Sequence, residues 1–457
     1  MEKTDEEKLI KKSKIPAQNA LRMHPFYKGK VQIVPRCQIT SHEDFGIWYS
    51  PGVAAPCKKI AKDKAKVYEY TSKWNYVAVV SDGSRVLGLG NIGAEASLPV
   101  MEGKALLFKY LGGVDAFPLS IGNDKCCSAD QMIQFVKLIQ PTFGGINLED
   151  ISKPKCFEIL DTLRADPEIT IPVWHDDQQG TATVTLAGLI NSLKIVGKKK
   201  NEVRIVFNGI GASNFAVSRL LDKAGFDFNN SIFVDSKGIL YEGRPDLNCP
   251  ENYKCEVAEK SNPEGLQGEL NLALEGADVI VSLSVPGPGI IKEEWIKKMA
   301  DDAIVFAMAN PVPEIFPWDA KEAGARIVAT GRSDFPNQVN NSLGFPGIFR
   351  GTLDVQARTI TDEMCIAAAH ALANLVEETE GCLVEDCIIP TMDNQEIFVR
   401  EAVAVGLKAI EQDLAGIVLT EKELEDKARE TINTAKDQTK FLMKEGFIPK
   451  FDNYIKD

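Results

Sequence analysis

Apolar residues fall along this chain in short runs separated by longer amphipathic stretches, and the rhythm changes twice. Between about residues 15 and 180 the runs at 76–80, 116–119, 145–148 and 171–174 alternate with helical stretches such as 131–140. Short buried runs between helices are the pattern of an α/β unit. Next, Thr181–Val196 carries Val184, Leu186, Leu189, Ile190 and Leu193 at helical spacing and ends in the polar break Gly197-Lys198-Lys199-Lys200-Asn201. A domain boundary is expected near there.

Beyond the break, β-rich runs recur at 204–207, 232–234, 279–283, 304–307 and 326–329, most of them far enough apart to hold a crossover helix. That spacing predicts a doubly wound parallel sheet. The last hundred residues read as helices at 366–376, 396–410 and 421–444. The expected organisation is an α/β unit over 1–180, a second over 181–350 and a helical region over 351–457 that packs back on both.

Composition narrows the partners. A net charge of −13 and a pI near 5.1 disfavour phosphate backbones and anionic membranes, so neither nucleic acid nor membrane is expected. No apolar run approaches the ~18 residues needed to span a bilayer. Residues 1–14 are too charged for a secretory or transit signal. Ten scattered cysteines, with Cys126-Cys127 adjacent and no Cys-x-x-Cys, argue against a disulfide framework and for a reducing compartment, hence a cytoplasmic protein.

Two acidic pairs, Glu149-Asp150 and Asp176-Asp177, each end a short apolar run. At strand ends they converge as hard oxygen ligands, which favour Mg²⁺ or Mn²⁺ over zinc. Soon afterwards Gly209-Ile210-Gly211-Ala212-Ser213-Asn214 follows a run and opens a helix. Gly209 and Gly211 allow a tight turn and close approach of a pyrophosphate to a helix N-terminus, although Asn214 stands where a third glycine is usual. Asp235, at the end of the next run, is placed to accept ribose hydroxyls, whereas Ser236 and Lys237 suit a 2′-phosphate, leaving NAD and NADP both open. A second glycine pattern, from Gly88 to Gly93, lacks an acid after the following strand and reads as a close-approach loop.

Seven segments resemble the malic enzymes in their shorter form, in the family's order and over nearly the whole chain. They are Tyr49-Ser50-Pro51-Gly52-Val53-Ala54, the stretch from Gly83 to Gly93, Pro99-Val100-Met101-Glu102-Gly103-Lys104, Leu148-Glu149-Asp150, Asp176-Asp177-Gln178-Gln179-Gly180-Thr181-Ala182, Ala309-Asn310-Pro311, and Asn340-Asn341 before Phe345-Pro346-Gly347. The resemblance implies an N-terminal substrate and metal domain, a Rossmann-type NAD(P) domain, a homodimer, and oxidative decarboxylation of malate to pyruvate and CO₂.

It assigns Glu149, Asp150 and Asp177 as metal ligands, Lys104 as general base and Tyr49 as general acid, with Asp176 hydrogen-bonded to the base. Arg85 matches a substrate-carboxylate clamp, Asn310 and Asn340 substrate-orienting amides. Asn310 also joins Gly209, Gly211, Ala212, Ser213, Asn214 and Asp235 toward the dinucleotide. A lysine base near neutral pH requires its pKa, ordinarily about 10.4, to fall to roughly 7.5; burial and a dication push it down, and Asp176 pushes back. His175 is expected to be structural. An oxaloacetate decarboxylase without redox chemistry would not need the Gly209 turn, and a non-catalytic nucleotide sensor would not need Tyr49, Lys104 and the acids together.

Overall fold

The computed structural model describes residues 14–122, 127–249, 253–379 and 383–455. The charged lead before Lys14, and Cys126, lie outside the described residues. Two parallel sheets organise the chain. The first contains β1 (Tyr76–Ser81), β2 (Asp115–Ser120), β3 (Gly145–Leu148) and β4 (Val173–His175), in the order β2-β1-β3-β4.

The second sheet contains β5 (Ile205–Asn208), β6 (Ser231–Asp235), β7 (Gly238–Ile239), β8 (Val279–Ser282), β9 (Ile304–Ala307) and β10 (Ile327–Thr330). Its order is β10-β9-β8-β5-β6-β7, all parallel except the β6–β7 pair. The strands lie within a residue or two of the apolar runs, and the order reverses between β5 and β8, as in a doubly wound fold. The short β7 has no counterpart among the predicted runs, because two residues set no period.

Alternation along these strands explains their near-continuous hydrophobicity. Ile205, Phe207, Phe233, Val281 and Phe306 enter one core, whereas Val206, Ile232, Val234, Ile280 and Val305 enter another on the opposite face. Both faces are covered, so neither residue parity is polar. Phe207 and Phe233 stack with centroids 4.5 Å apart.

The main helices are α1 (Ile15–Tyr27), α2 (Ala94–Gly112), α3 (Ala129–Ile139), α4 (Lys155–Ala165), α5 (Thr181–Val196), α6 (Ala212–Lys223), α7 (Phe345–Asp354), α8 (Asp362–Thr379), α9 (Glu396–Glu411) and α10 (Glu421–Lys444). Helix α10 begins at a capping box, where Thr420 and Glu423 satisfy each other's backbone N–H groups. Every residue of α7 is buried. Phe345 and Phe349 of α7 meet Phe108 of α2 at 4.6 and 5.1 Å, and buried Arg350 bonds Asp354 and reaches Asn75 Oδ1 at 2.6 Å. Helix α7 therefore clamps α2, the helix that carries Lys104.

One expectation needs correction. Cys249 and Cys255 form a disulfide across a short loop after β7; two cysteines six apart carry no signature that separates a local staple from free thiols. No helix among the described residues is long and apolar enough to cross a membrane.

Candidate active site and dinucleotide cleft

Glu149 and Asp150 follow β3, and Asp176 and Asp177 follow β4 on a π-helical turn, Asp176–Gly180. Adjacent parallel strands thus deliver both acidic pairs to one sheet edge. The backbone N–H of Asp150 donates to Asp177 Oδ2 at 2.9 Å. Asp150 itself has φ +54°, a left-handed conformation that Asp tolerates better than most residues, and its Oδ1 accepts from the Leu87 N–H at 3.4 Å.

Lys104 enters this group from α2, with its side chain 8% exposed. Its Nζ lies 2.6 Å from Asp176 Oδ2, 3.1 Å from Glu149 Oε1 and 4.4 Å from the Phe345 ring centroid. Asp176 is fixed in turn by Trp174, whose indole Nε1–H donates to Oδ1 at 3.0 Å. A Cβ at Gly180 would lie 2.0 Å from Asp176 Oδ1, so only glycine leaves room for that carboxylate.

Burial alone would lower the Lys104 pKa, but Asp176 and Glu149 outweigh it and hold the ammonium above its ordinary value. The expected drop toward neutrality is therefore not built by these side chains; the two carboxylates against Nζ reverse it. Burial pushes Glu149 well up, with Asp177 and Asp176 adding to it against the pull of Lys104. Asp150 is pushed up to about 8, by burial first and Asp177 second.

These residues fit a divalent ion by donor chemistry. All three proposed ligands offer carboxylate oxygens, Asp150 Oδ2 is buried without a hydrogen-bond partner, and the neighbouring acids hold one another's pKa values up. Among the described residues, however, no group of three His, Cys, Asp or Glu side chains is already arranged to hold a metal. His175 is fully buried, neither ring nitrogen makes a hydrogen bond although Nδ1 lies 3.8 Å from Asp177 Oδ2, and burial lowers its pKa.

The remaining predicted residues divide. The Arg85 backbone N–H donates to the Asp150 carbonyl at 3.0 Å, and its exposed side chain is near enough to pull the Asp150 pKa down. Asn310 and Asn340 meet at Gly331. Asn340 Nδ2 donates to its carbonyl at 3.2 Å, and a Cβ there would stand 2.7 Å from Asn310 Nδ2. Gly88 is indeed a close-approach glycine, since a Cβ would lie 2.9 Å from the Asn310 carbonyl oxygen. Tyr49 is not drawn into the cluster; it stands 76% exposed beside Trp48, Ile47 and Val53, which are exposed too.

In the second domain the chain turns at Gly209, where φ is +87° and a Cβ would press on the Leu283 carbonyl at 2.7 Å. Gly211 caps α6, and Ala212 and Ser213 form its first turn at the switch between β5 and β8. Asn214 is buried and donates to the carbonyls of Asn208 and Gly209 at 2.9 and 2.7 Å, bracing the turn in place of a third glycine.

Asp235 ends β6, as expected, but its carboxylate is already engaged by Arg244, Lys254 and the Lys237 backbone N–H. Sequence reasoning missed both cations, which lie beyond β7. It also missed Glu314, a buried acid that accepts from Ser282, Ser284 and the Ala309 N–H and so pins the loop carrying Asn310. An acid inside the proline-rich run 311–317 was the available signal.

Comparison with known proteins agrees along the chain. The family model for the malic enzyme N-terminal domain matches residues 28–164, and that for the malic enzyme NAD binding domain matches residues 178–410. An NAD-dependent malic enzyme of Geobacillus stearothermophilus is 50% identical over 82% of this chain and 76% of its own length. An NADP-dependent malic enzyme of Escherichia coli (strain K12) is 43% identical over 87% of the chain, which spans about half of that protein, 53%. The crystal structure of the Entamoeba histolytica malic enzyme superposes with a TM-score of 0.93 at 47% identity, covering 98% of this chain and 92% of that one.

Proposed function

The chain belongs to the malic enzyme family, and from that premise we propose that it oxidatively decarboxylates malate to pyruvate and CO₂ while reducing NAD or NADP. The observation that carries the residue-level reading is Lys104, buried and held 2.6 Å from Asp176 beside the three other acids. Residues 1–180 would bear the substrate and residues 181–350 the dinucleotide, with 351–457 bracing both.

In its neutral form Lys104 Nζ would take the proton of the malate C2 hydroxyl, and a bound dinucleotide would supply the acceptor for the C2 hydride. Asp176 fixes where Nζ points, which shortens the search for a productive geometry. Arg85 pairs with a substrate carboxylate as a two-pronged cation. Asn310 and Asn340 orient the substrate from the second domain. Tyr49, which a single chain leaves exposed outside the cluster, would return a proton to C3 after CO₂ leaves, as its family motif implies.

Glu149, Asp150 and Asp177 would hold Mg²⁺ or Mn²⁺. A bound ion would supply Lewis-acid polarisation to substrate oxygens and would offset the anionic pull of Asp176 and Glu149 on Lys104. The exposed apolar residues around Tyr49 support a homodimer in which a second copy covers that face. The acidic surface and the lack of an apolar span among the described helices support a cytoplasmic enzyme.

The test is malate-dependent growth of reduced-dinucleotide absorbance, with each dinucleotide and with or without EDTA. Reduction that EDTA abolishes and Mn²⁺ restores is the expected result. Pyruvate formation from oxaloacetate with no dinucleotide reduction from malate would overturn it.

A further inference from the structure

An acid at the end of the second Rossmann strand ordinarily holds the adenosine ribose of NAD through its free carboxylate oxygens. A carboxylate offers about four lone-pair positions, and in Asp235 all four are taken. Oδ1 accepts from the Lys237 N–H at 2.9 Å and Arg244 Nη1 at 3.0 Å, and Oδ2 from Arg244 Nη2 at 2.8 Å and from Lys254 Nζ. No acceptor position remains for two ribose hydroxyls.

Arg244 is the less replaceable partner. Its side chain is 5% exposed, it also bonds the Gly238 and Ile239 carbonyls, and Asp246 Oδ1 lies 2.7 Å from its Nε. Such a buried, bidentate pair is costly to break from either side. The Asp235 carboxyl sits far below the usual carboxylate range because those hydrogen bonds overcome its burial.

Charge around the acid is reversed as well. Asp235 and Asp246 are outnumbered by Arg244, Lys254 and Lys237, whose Nζ lies 3.1 Å from Asp246 Oδ2. Lys153 adds a fourth cation from the first domain, donating to the Ile210 carbonyl in the glycine turn at 3.0 Å and feeling both Lys254 and Asp235. Four cations against two carboxylates leave a local excess of positive charge in a chain whose net charge is −13. The Lys237 side chain is 65% exposed, and Ser236 beside it is exposed, so both can reach a ligand at the end of β6. An exposed ion pair such as Lys237–Asp246 holds weakly and yields to a doubly charged competitor.

We propose that the adenosine end of this cleft is built for a 2′-phosphate, so that the chain uses NADP in preference to NAD, with Ser236, Lys237 and Lys254 holding the phosphate while Arg244 cancels the acid that would repel it. This rests on the reading of the second domain as a dinucleotide site and deepens it. The repulsion implied by Asp235 in the sequence is removed by partners 9 and 19 residues further along. Lys237 and Lys254 are the residues that set the choice; neither touches the reacting carbons.

Binding is measured on the full chain without malate, by titrating NADPH and NADH and following nicotinamide fluorescence. The expected result is that NADPH binds at least about tenfold more tightly, the value of one charge-assisted contact. Lys237→Glu should lower the NADPH:NADH affinity ratio by about tenfold or more, and Lys254→Gln, which leaves Arg244 on Asp235, should lower it independently. NADH binding as tightly as NADPH, or a ratio unmoved by Lys237→Glu, overturns the proposal. The malate assay separates the two readings: tighter NADPH binding without malate turnover removes the malate reading and leaves this one. Equal kcat/KM for NAD and NADP with malate does the reverse.

Discussion

Asp150 and Asp235 are the same residue at the same kind of place, the carboxyl end of a parallel strand, yet the fold drives them in opposite directions. Around Asp150 stand Glu149, Asp176 and Asp177, and although Lys104 and Arg85 pull the other way, burial and Asp177 push its carboxyl up to about 8. Around Asp235 stand Arg244 and Lys254, and its carboxyl is held far below the usual range. One strand end is left wanting positive charge and suits a dication; the other is over-supplied with it and suits a phosphate. Strand-end position therefore says where a ligand goes, and the charge brought by flanking segments says which ligand.

The contrast can be broken at either end. The largest effect is expected from Lys104→Ala, which removes from the acidic cluster the ammonium against Asp176 and Glu149, and with it the proposed base. Its kcat should fall by at least ~10², the usual contribution of a general base, with Mn²⁺ affinity nearly kept; unchanged turnover removes the assignment.

Asp235→Asn should cost about 2 kcal/mol at pH 7, since it weakens charge-assisted hydrogen bonds to two cations. A depressed folded-state pKa means that this stabilisation is present above the unfolded value of about 3.9 and is lost as pH falls through the folded one. Denaturant curves of the wild type and Asp235→Asn should therefore separate at neutral pH and converge in acid. Curves that stay parallel at every pH would show that Asp235 is not held by charge.

In the acidic cluster, Asp177→Ala should weaken Mn²⁺ binding by more than about tenfold, of the order seen when a metal site loses a supporting group. An unaltered calorimetric titration excludes Asp177 as a ligand. The smallest effect is the mirror of Asp235→Asn. In EDTA at neutral pH, Asp150→Asn should raise stability by about 1 kcal/mol, because the amide is neutral already whereas the buried carboxyl must take up a proton on folding, at the expense of metal binding. A lower melting temperature would mean that Asp150 serves the fold.

The two ends were not equally legible. Every strand of the first sheet and five of the second coincide with apolar runs, because most of these strands are buried on both faces and so are apolar at most positions. The acidic pairs were visible as pairs, and the structure gathers them. Their partner Lys104, 72 residues from Asp176, was legible only through the family motifs, and the contact of Arg350 with Asn75, 275 residues away, left no mark in the sequence. The Asp235 reading assumed a free carboxylate, since Arg244 and Lys254 carry no spacing that points back to β6. Tyr49 was legible only through its motif, and the single chain leaves it exposed.

By itself, the sequence determined the two α/β units, the glycine turn at 209–211 and the residue types needed for a hard cation, because periodicity and strand-end chemistry are local. Only the tertiary structure decided the sign of the electrostatic environment at each strand end. That sign depends on which long side chains are desolvated against which carboxylates, and Coulombic interactions are set by distance in space, strengthened by burial and indifferent to distance along the chain.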